Sequence, residues 1–328
     1  MQLGEKPHDT DGVAGNVTNQ RQIIQRQTTL RKPIHCAGVG VHSNVGVSLT
    51  MLPAPADTGI RFHRTDLGAN AVIAAHADNV IDTTLCTVLG ARGFDGALRV
   101  ATVEHLMAAL AGAGIDNAML EIDGPEVPVM DGSSAPFIFL LECAGTQMLD
   151  APRRGIQVLE EIRVDDGDRM ARILPADRFS LSCAIEFDHA LIGSQSVGFD
   201  YDGNFSSELS RARTFCMEDD VLKMRAAGLA LGGSLDNAVV FSNDSVLNEG
   251  GLRYQDEPAR HKALDLFGDL TLAGAPIIGR VETFRAGHAM NHRLVTALLE
   301  NTSAWRMVDM VEHEVLEDLP IAAAGGGA

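Results

Sequence analysis

The first half of the chain alternates apolar and polar residues and then changes to a helical pattern. Every second residue from 45 to 51 is apolar, which predicts a strand, and the apolar pattern at 60–62 predicts its hairpin partner. Residues 102–110 predict a helix, because apolar residues recur there at helical spacing and two glycines follow. A strand is predicted at 118–122 and a second helix at 137–143.

The second half repeats this order of elements. His105 and Asp131 are 26 residues apart, and His261 and His288 are 27 apart, which indicates duplication of one α+β unit. If the two units pack through their helices, the starts of both His-bearing helices meet at the interface, where sites usually form. The second half is predicted to contain strands at 156–164, 171–175 and 179–187, a helix at 256–273, a strand at 277–284, a loop at 286–291 and a helix at 293–299.

The composition is that of a globular protein. The chain has 328 residues, of which 45% are hydrophobic and 21% charged, and its length predicts about two domains. Its 26 Lys and Arg against 44 Asp and Glu give a net charge of −18, which disfavours a nucleic acid or anionic membrane partner. A small anion held in a local pocket is compatible with this charge.

Cysteine usage and the lack of targeting signals predict the compartment. No apolar run approaches the ~20 residues that a membrane span needs, and the polar N-terminus lacks the layout of a secretory signal. The five cysteines are an odd number without a Cys-x-x-Cys pair, which favours reduced thiols. We therefore expect a soluble cytoplasmic protein without an integral membrane segment.

The helix predicted at 256–273 carries a His and two carboxylates on one face. His261, Asp265 and Asp269 are each four residues apart, so their side chains line one side of the helix. An imidazole and a carboxylate at this spacing can reach one metal ion together, as in helix-borne zinc sites. Taken alone, the pattern favours a solvated polar face on which the spacing of His and Asp is accidental.

The helix predicted at 102–110 carries Glu104 and His105 in an otherwise apolar segment. Adjacent residues point about 100° apart on a helix, so these two cannot be equivalent metal ligands. They can instead serve as one ligand and a neighbouring base that takes a proton from water. The alternative is an acidic residue that stabilises the helix N-terminus beside a half-buried His.

Together, His105, His261 and Asp265 form a set of two imidazoles and one carboxylate that leaves a coordination position open. Such a set is typical of a catalytic zinc site, and zinc lowers the pKa of water to about 7. The same ligand types also suit Fe²⁺ in oxygenases, so they leave the metal open.

His288 follows a glycine in the loop predicted at 286–291. A His in such a loop is expected to be more exposed than a His in the core. Asp269 is its expected partner, because a carboxylate favours the imidazolium, which can donate a proton or stabilise an oxyanion. The alternative is a surface His without a catalytic role.

Two long segments and five shorter motifs carry a resemblance to a known family. The long segments are residues 102–137 and 252–270. The shorter motifs are GVGVHS (38–43), TTLCT (83–87), SRARTF (210–215), GGSLDNAVVF (232–241) and GHAMNHRL (287–294). In this order they closely resemble the UDP-3-O-acyl-N-acetylglucosamine deacetylase (LpxC) family of lipid A biosynthesis, from about residue 28 to residue 315.

The resemblance implies an α+β fold of two similar domains, each a β-sheet packed on helices, with the helices sandwiched between the two sheets. With the patterns above, it predicts a flexible leader at 1–27, a first domain at 28–150, a second domain at 151–318 and a disordered tail at 319–328. An insert at about 216–240 in the second domain is implied to form the passage for an acyl chain.

The implied reaction is hydrolysis of the 2-acetamido group of a UDP-linked 3-O-(3-hydroxyacyl) glucosamine, which gives the free amine and acetate. The implied metal ligands are His105, His261 and Asp265, which hold zinc, or Fe²⁺ in its place. The implied general base is Glu104, which takes a proton from the attacking water.

The other implied residues act on the leaving group or bind the substrate. His288 is implied to protonate the leaving amine with Asp269 behind it, and Thr214 to donate a hydrogen bond to the oxyanion. Phe187 is expected on the uracil, and the acidic run at 218–220 in the insert is expected to face solvent. The full set of implied substrate contacts is Lys262, Phe215, Phe187, Arg285, Leu85 and Cys86, with Val221, Ala230, Ala238 and Val240 along the acyl passage.

Two other functions are left open by the residues. One is a ferrous oxygenase on the same three ligands, and the other is a catalytically silent sugar-nucleotide-binding regulator. The regulator is disfavoured because every residue implied in catalysis is present. We expect a monomer whose partners are the UDP-linked substrate and, at the Ala/Gly tail, a quality-control protease.

Overall fold

The three-dimensional structure is a computed structural model that describes residues 20–91, 96–201 and 203–315. The elements of the first half are β1 (Gln20–Ile24), β2 (Arg26–Leu30), β3 (Ile34–Val39), β4 (Gly46–Pro53), β5 (Ile60–Arg64), β6 (Val72–Ala74), β7 (Val80–Asp82), β8 (Val88–Gly90), β9 (Arg99–Val100), α1 (Glu104–Gly112), β10 (Ala118–Ile122), α2 (Ala135–Ala144) and β11 (Thr146–Pro152). Those of the second half are β12 (Arg154–Val158), β13 (Ile162–Asp166), β14 (Arg169–Leu174), β15 (Ser180–Glu186), β16 (Ser194–Asp200), α3 (Phe205–Glu208), β17 (Phe215–Met217), α4 (Glu218–Ala226), β18 (Val239–Phe241), α5 (Glu257–Leu270), β19 (Ile277–Ile278), β20 (Arg280–Phe284), α6 (His288–Glu300), β21 (Trp305–Asp309) and β22 (Val311–Val315). Short 3₁₀ turns lie at Thr65–Leu67, Ala77–Asn79 and Thr271–Ala273.

Two five-stranded sheets, one in each half, share a single topology. Their strand orders are β3-β4-β10-β5-β6 and β13-β14-β20-β15-β16. In each sheet the central strand, β10 or β20, is the last of the five along the chain. It is antiparallel to one neighbour (β4 or β14) and parallel to the other (β5 or β15). This organisation confirms the predicted α+β fold class and supports the predicted duplication. The division into two domains near residue 150 stays a prediction.

The hairpin predicted between the strands at 45–51 and 60–62, which are β4 and β5 of the first sheet, is wrong. β5 does not pair with β4, because β10 lies between them and pairs Ala118 with Pro53 on one side and with Ile60 on the other. Ala118, Leu120 and Ile122 of β10 are fully buried. The local alternation therefore predicts the strands correctly, whereas the neighbours of each strand depend on a segment more than 50 residues further along.

The helices connect the two halves. α1 packs on α5, which also contacts α6 and the strands β15 and β16. Of the 14 residues of α5, 12 are buried, and one continuous hydrophobic core includes residues of both five-stranded sheets. The two His-bearing helices therefore lie together, as the duplicated pattern predicts.

Gly268 allows α1 and α5 to approach closely. A Cβ added to Gly268 would lie 2.1 Å from the carbonyl oxygen of Glu104 and 3.2 Å from the backbone nitrogen of Ala108. Glycine inside a helix costs about 1 kcal/mol relative to alanine, but the contact with the backbone of α1 leaves no room for a Cβ at this position. The backbone of α1, and with it His105, is thus held directly against α5.

We expect Gly268→Ala to lower the free energy of unfolding by about 2 kcal/mol, because the new methyl group meets backbone atoms that cannot rotate away. Urea unfolding measures the change. The matched control is Gly198→Ala in β16, where an added Cβ has no neighbour within 4 Å. A Gly268→Ala midpoint equal to that of the wild-type protein would contradict the close packing of the two helices.

Two predicted strands are each divided. The segment 156–164 forms β12 and β13, which belong to different sheets, because the chain bends at the exposed Glu160. The segment 277–284 forms β19 and β20, which likewise belong to different sheets.

The two ends of the described chain are paired with each other. β1 pairs antiparallel with β22, and β2 pairs with β11, so residues 20–24 and 26–27 are strand residues and the predicted flexible leader is wrong for them. Residues 1–19 and 316–328, which hold the rest of the predicted leader and the predicted tail, lie outside the described residues. Within the described ranges, no helix is long and apolar enough to cross a membrane.

Candidate active site

Three buried ligand atoms meet where α1 crosses α5. His105 lies in the first turn of α1, and His261 and Asp265 lie one turn apart on α5. Oδ1 of Asp265 is 3.4 Å from Nε2 of His105 and 3.3 Å from Nε2 of His261, and the three ligand atoms lie within 4.8 Å of one another. Because none of these residues is more than 5% exposed, the alternative of a solvated polar face is wrong.

The distances from Asp265 to the two imidazoles are those found around a bound metal ion. Among the residues that the structure describes, Oδ1 of Asp265 has no hydrogen-bond partner, although an unpartnered buried carboxylate oxygen is costly. Nitrogen and oxygen ligands about 2.1 Å from a tetrahedral zinc ion are about 3.4 Å apart. The distances from Oδ1 to the two imidazole nitrogens, 3.4 and 3.3 Å, match this separation. The residues therefore fit a metal held by two imidazoles and one carboxylate.

The protonation states of the ligands also suit a metal. Nδ1 of His261 lies 3.1 Å from the carbonyl oxygen of Ala212, which can only accept, so Nδ1 donates and Nε2 keeps its lone pair. Burial lowers the pKa of His261 to about 3, so the ring is neutral. Burial acts to raise the pKa of Asp265, but His261 and Lys262 outweigh it and hold that pKa well below its ordinary value.

An acid–base pair faces this cluster. Glu104 begins α1, His288 begins α6, and Oε1 of Glu104 lies 3.7 Å from Nε2 of His288. Burial raises the pKa of Glu104. Burial also acts to lower the pKa of His288, but Asp269 and Glu104 outweigh it and raise that pKa to about 9. A carboxylate that can accept a proton thus lies beside an imidazolium that can donate one.

The predicted loop at 286–291 is wrong for residues 288–291, which are helical. Gly287 precedes the helix, His288 is the first residue of α6, and His288 is only 7% exposed, so the expected exposure is also wrong. A cationic side chain is unfavourable at a helix N-terminus. Here Asp269 compensates, because Nδ1 of His288 donates to Oδ2 of Asp269 at 2.9 Å, and Asn291 donates to the same oxygen.

A cavity of about 1000 Å³ opens onto the cluster, and most of its wall is apolar. The insert (residues 216–240) forms one side of it as β17, α4 and β18, with β17 and β18 paired in parallel. The acidic residues 218–220 are exposed, as expected, but Glu218 and Asp219 also line the cavity, so the prediction that the acidic run faces only solvent is wrong for these two. The predicted residues in the wall are Glu104, His105, His261, Asp265, His288, Thr214, Phe215, Lys262, Leu85, Val221, Ala230, Ala238 and Val240.

Three predicted substrate contacts lie outside this wall. Phe187 packs edge-on against Phe215, with ring centroids 5.5 Å apart. Arg285 forms an ion pair with Asp168. Cys86 is buried, and burial raises the pKa of its thiol to about 12. The arginines that line the cavity are instead Arg169, Arg225 and Arg293, which the sequence patterns did not single out.

The family follows from a comparison with known proteins. Residues 27–300 match the family model of UDP-3-O-acyl N-acetylglycosamine deacetylase (LpxC). The chain belongs to this family. Three similar proteins, each named UDP-3-O-acyl-N-acetylglucosamine deacetylase, come from Acidithiobacillus ferrooxidans (48% identical over 291 residues, 88% of this chain and 94% of the relative), Myxococcus xanthus (47% over 306 residues, 93% and 96%) and Anaeromyxobacter dehalogenans (49% over 283 residues, 86% and 90%).

In this LpxC family member, Thr87 links Glu104 to Asp269, the hydrogen-bond partner of His288. Its backbone N–H donates to Oε2 of Glu104 at 3.0 Å, and its hydroxyl donates to Oδ1 of Asp269 at 2.6 Å. Thr87 is 1% exposed. The TTLCT motif contains this residue, but no local pattern reveals partners that lie 17 and 182 positions away.

A buried ion pair fixes the first turn of α5 beside the ARTF motif. Nε and the backbone N–H of Arg213 donate to Oε1 of Glu257 at 2.9 and 3.0 Å. Arg213 lies between Ala212, whose carbonyl accepts from His261, and Thr214 in the cavity wall. The ion pair therefore holds Ala212, which accepts the hydrogen bond from His261, and Thr214, which lines the cavity, in one fixed segment.

Proposed function

We propose that this protein is a metal-dependent amidase that removes the N-acetyl group from UDP-3-O-(3-hydroxyacyl)-N-acetylglucosamine, giving UDP-3-O-acyl-glucosamine and acetate, in lipid A biosynthesis. One observation carries the proposal: in a member of this family, two imidazoles and a carboxylate converge beside a buried acid–base pair under an apolar cavity. The proposed metal is zinc, with Fe²⁺ as the alternative on the same ligands.

The metal would be held by His105, His261 and Asp265. When bound, zinc supplies Lewis acidity, which polarises a carbonyl group and makes water more acidic. Glu104 acts as the general base, because burial raises its pKa and so favours proton acceptance from water. The N–H of Thr87 binds Oε2 of Glu104, which leaves Oε1 directed toward His288.

His288 acts as the general acid. Its Nδ1 is bound to Asp269, so its Nε2 carries a proton toward the cluster, 3.7 Å from Glu104 and 3.9 Å from Oδ2 of Asp265. With a pKa of about 9 the ring is protonated at neutral pH and can give its proton to the leaving amine. The Nε2–H of His288 and the hydroxyl of Thr214 stabilise the oxyanion that forms on the amide.

The cavity wall suits a substrate that has both an acyl chain and a diphosphate. Apolar side chains of the insert, among them Val221 and Val240, line the side on which we place the acyl chain. Lys262 is the proposed diphosphate contact, and it also donates to Oδ2 of Asp265 at 2.6 Å. Local cations of this kind allow a chain with a net charge of −18 to bind an anionic substrate.

We place this activity in the cytoplasm and in a monomer. All five cysteines are free, which suits a reducing compartment. The Ala/Gly tail remains a predicted handle for a quality-control protease, and an unchanged cellular half-life after removal of residues 322–328 would contradict that role.

The assay that tests the proposed function follows two products of one substrate. UDP-3-O-(3-hydroxyacyl)-N-acetylglucosamine should yield acetate and a free 2-amino group in equal amounts. A silent regulator would bind the substrate without releasing acetate. A ferrous oxygenase would consume oxygen and require a 2-oxoacid. Either of these results would overturn the proposal.

Replacing Thr87 by Val should lower kcat by about tenfold, because Asp269 loses a buried hydrogen bond and His288 loses its fixed orientation. Thr87→Ser keeps the hydroxyl and should retain most of the activity. Bound metal, measured by mass spectrometry, should stay at the wild-type level in both variants. Equal kcat values for the Val and Ser variants would show that the hydroxyl has no role.

A further inference from the structure

Glu126 is a buried carboxylate that the proposed mechanism does not use. It is 2% exposed, and it has no ion pair within the residues that the structure describes. Its charge is instead balanced by hydrogen bonds: Oε1 accepts from the backbone of His42 and the hydroxyl of Thr102, both at 2.9 Å. Oε2 accepts from the backbone and the hydroxyl of Ser43, at 2.8 and 2.6 Å. Four donors around one carboxylate form a built binding site for a segment of backbone.

Three of these four donors belong to the loop at residues 40–43, which we call the clasp loop. Gly40 also lies against the carboxylate, since a Cβ added there would be 2.1 Å from Oε2 of Glu126. Glu126 therefore positions the clasp loop in two ways, through the hydrogen bonds that it accepts and through its close contact with Gly40.

The clasp loop in turn holds the distal end of the insert. The N–H of Leu231 donates to the carbonyl of His42 at 3.2 Å, and the N–H of Gly232 donates to the carbonyl of Val41 at 3.0 Å. The N–H of Ala230 donates to Nδ1 of His42 at 3.3 Å. Across the described parts of the chain, these are the hydrogen bonds that join the insert to the first half.

Backbone packing reinforces the same contact. A Cβ added to Gly232 would lie 2.4 Å from the carbonyl oxygen of Gly40, so the two segments touch without intervening side chains. The helix α4 adds little to this contact, because none of its residues is buried. Val41 and Ala230, one from each side of the contact, both line the cavity.

From these contacts we infer that Glu126 is a positioning residue for the acyl passage. It fixes the clasp loop, the clasp loop fixes residues 230–232, and this end of the insert closes the cavity around the acyl chain. Glu126 thereby sets the preference for acylated over unacylated UDP-sugars without touching the reacting atoms. The inference rests on the proposed function, since it names a determinant of specificity for the same site.

The first test is Glu126→Gln in the metal-loaded full-length protein. Glutamine has nearly the same shape, but its amide group would face the donors of Ser43, so the clasp loop should be released. With the acylated substrate we expect KM to rise at least about tenfold at nearly constant kcat. With UDP-N-acetylglucosamine, which has no acyl chain, kcat/KM should stay within about twofold of wild type.

Two results would overturn the inference. An equal loss of kcat/KM with both substrates would show that Glu126 acts on the reaction centre through Thr102. Unchanged kcat and KM with both substrates would show that Glu126 has no role. The matched control is Glu121→Gln, which makes the same change at a partly exposed position of β10 and should leave both substrates unaffected.

The second test acts on the other side of the contact and does not need Glu126→Gln to fold. Gly232→Ala places a methyl group against Gly40 and should produce the same rise in KM for the acylated substrate alone. Its control is Gly46→Ala, where an added Cβ meets nothing within 4 Å. Wild-type kinetics in Gly232→Ala would contradict the clasp.

Amide hydrogen exchange separates this inference from the proposed function. In both Glu126→Gln and Gly232→Ala, the amides of residues 230–232 should exchange at least about tenfold faster than in wild type, with or without any turnover. If the wild-type protein does not release acetate, the proposed function is wrong, but the exchange result still tests the contact. If the variants show wild-type exchange rates and normal turnover, only the positioning role of Glu126 is wrong.

Discussion

Replacing Glu104 by Gln is expected to lower kcat for acetate release by about 1000-fold while the bound metal stays at the wild-type level. In the proposed mechanism the carboxylate accepts the proton from water, and the amide of glutamine cannot take over this role. Glu104 is not one of the three converging ligands, so its loss leaves His105, His261 and Asp265 in place. Acetate release and metal content, measured on the same preparation, check the two halves of this expectation.

The control for this variant is Glu142→Gln, which makes the same change at an exposed position of α2 and should keep full activity. A Glu104→Gln protein with at least a tenth of the wild-type kcat would contradict the role of general base. Loss of the metal in Glu104→Gln would instead make Glu104 a ligand, and the separation between base and ligands would be wrong.

His261→Ala should remove both the metal and the turnover. This ring contributes one of the three ligand atoms, and its Nδ1–H···O bond to Ala212 fixes the direction of Nε2. Changes that only disturb such orienting bonds weaken metal affinity by about 10–100-fold, so loss of the ligand itself should weaken it by more than about 100-fold. Competition with a fluorescent zinc chelator measures the affinity directly.

The control for His261→Ala is His35→Ala, at an exposed position of β3, which should bind metal as the wild type does. The comparison between the two active-site variants is the informative one. Equal loss of metal in Glu104→Gln and His261→Ala would contradict the roles assigned to them, as would a His261→Ala protein that keeps a full metal content.

The three candidate metal ligands could be predicted from the sequence, because the prediction needs only residue types and their spacing along the chain. The spacing of His261 and Asp265 on a helix places both on one face, and the matching position of His105 follows from the repeated order of elements. The close contact between the two helices depends on Gly268, which lies against the backbone of Glu104 in the folded protein. In a single sequence, a glycine inside a helical pattern indicates only a weak helix former. The sequence therefore does not show that Gly268 allows the two helices to touch.

The environment of His288 could not be predicted from its neighbours in the chain. A Gly-His-Ala-Met-Asn sequence is typical of a loop, yet it begins α6, because Asp269 and Glu104 compensate the charge of the imidazolium. In the same way, Thr87 and Glu126 form hydrogen bonds with partners that only the fold brings near. Side chains whose roles depend on such partners need coordinates, whereas ligand types and their spacing do not.

The central claim is that His105, His261 and Asp265 together bind one metal ion on which amide hydrolysis depends. The most direct test removes the metal with a chelator, follows acetate release and bound metal in the same samples, and then restores zinc. We expect turnover to fall in proportion to the metal removed and to return when one zinc ion per chain is bound. Full turnover by metal-free protein would contradict the account.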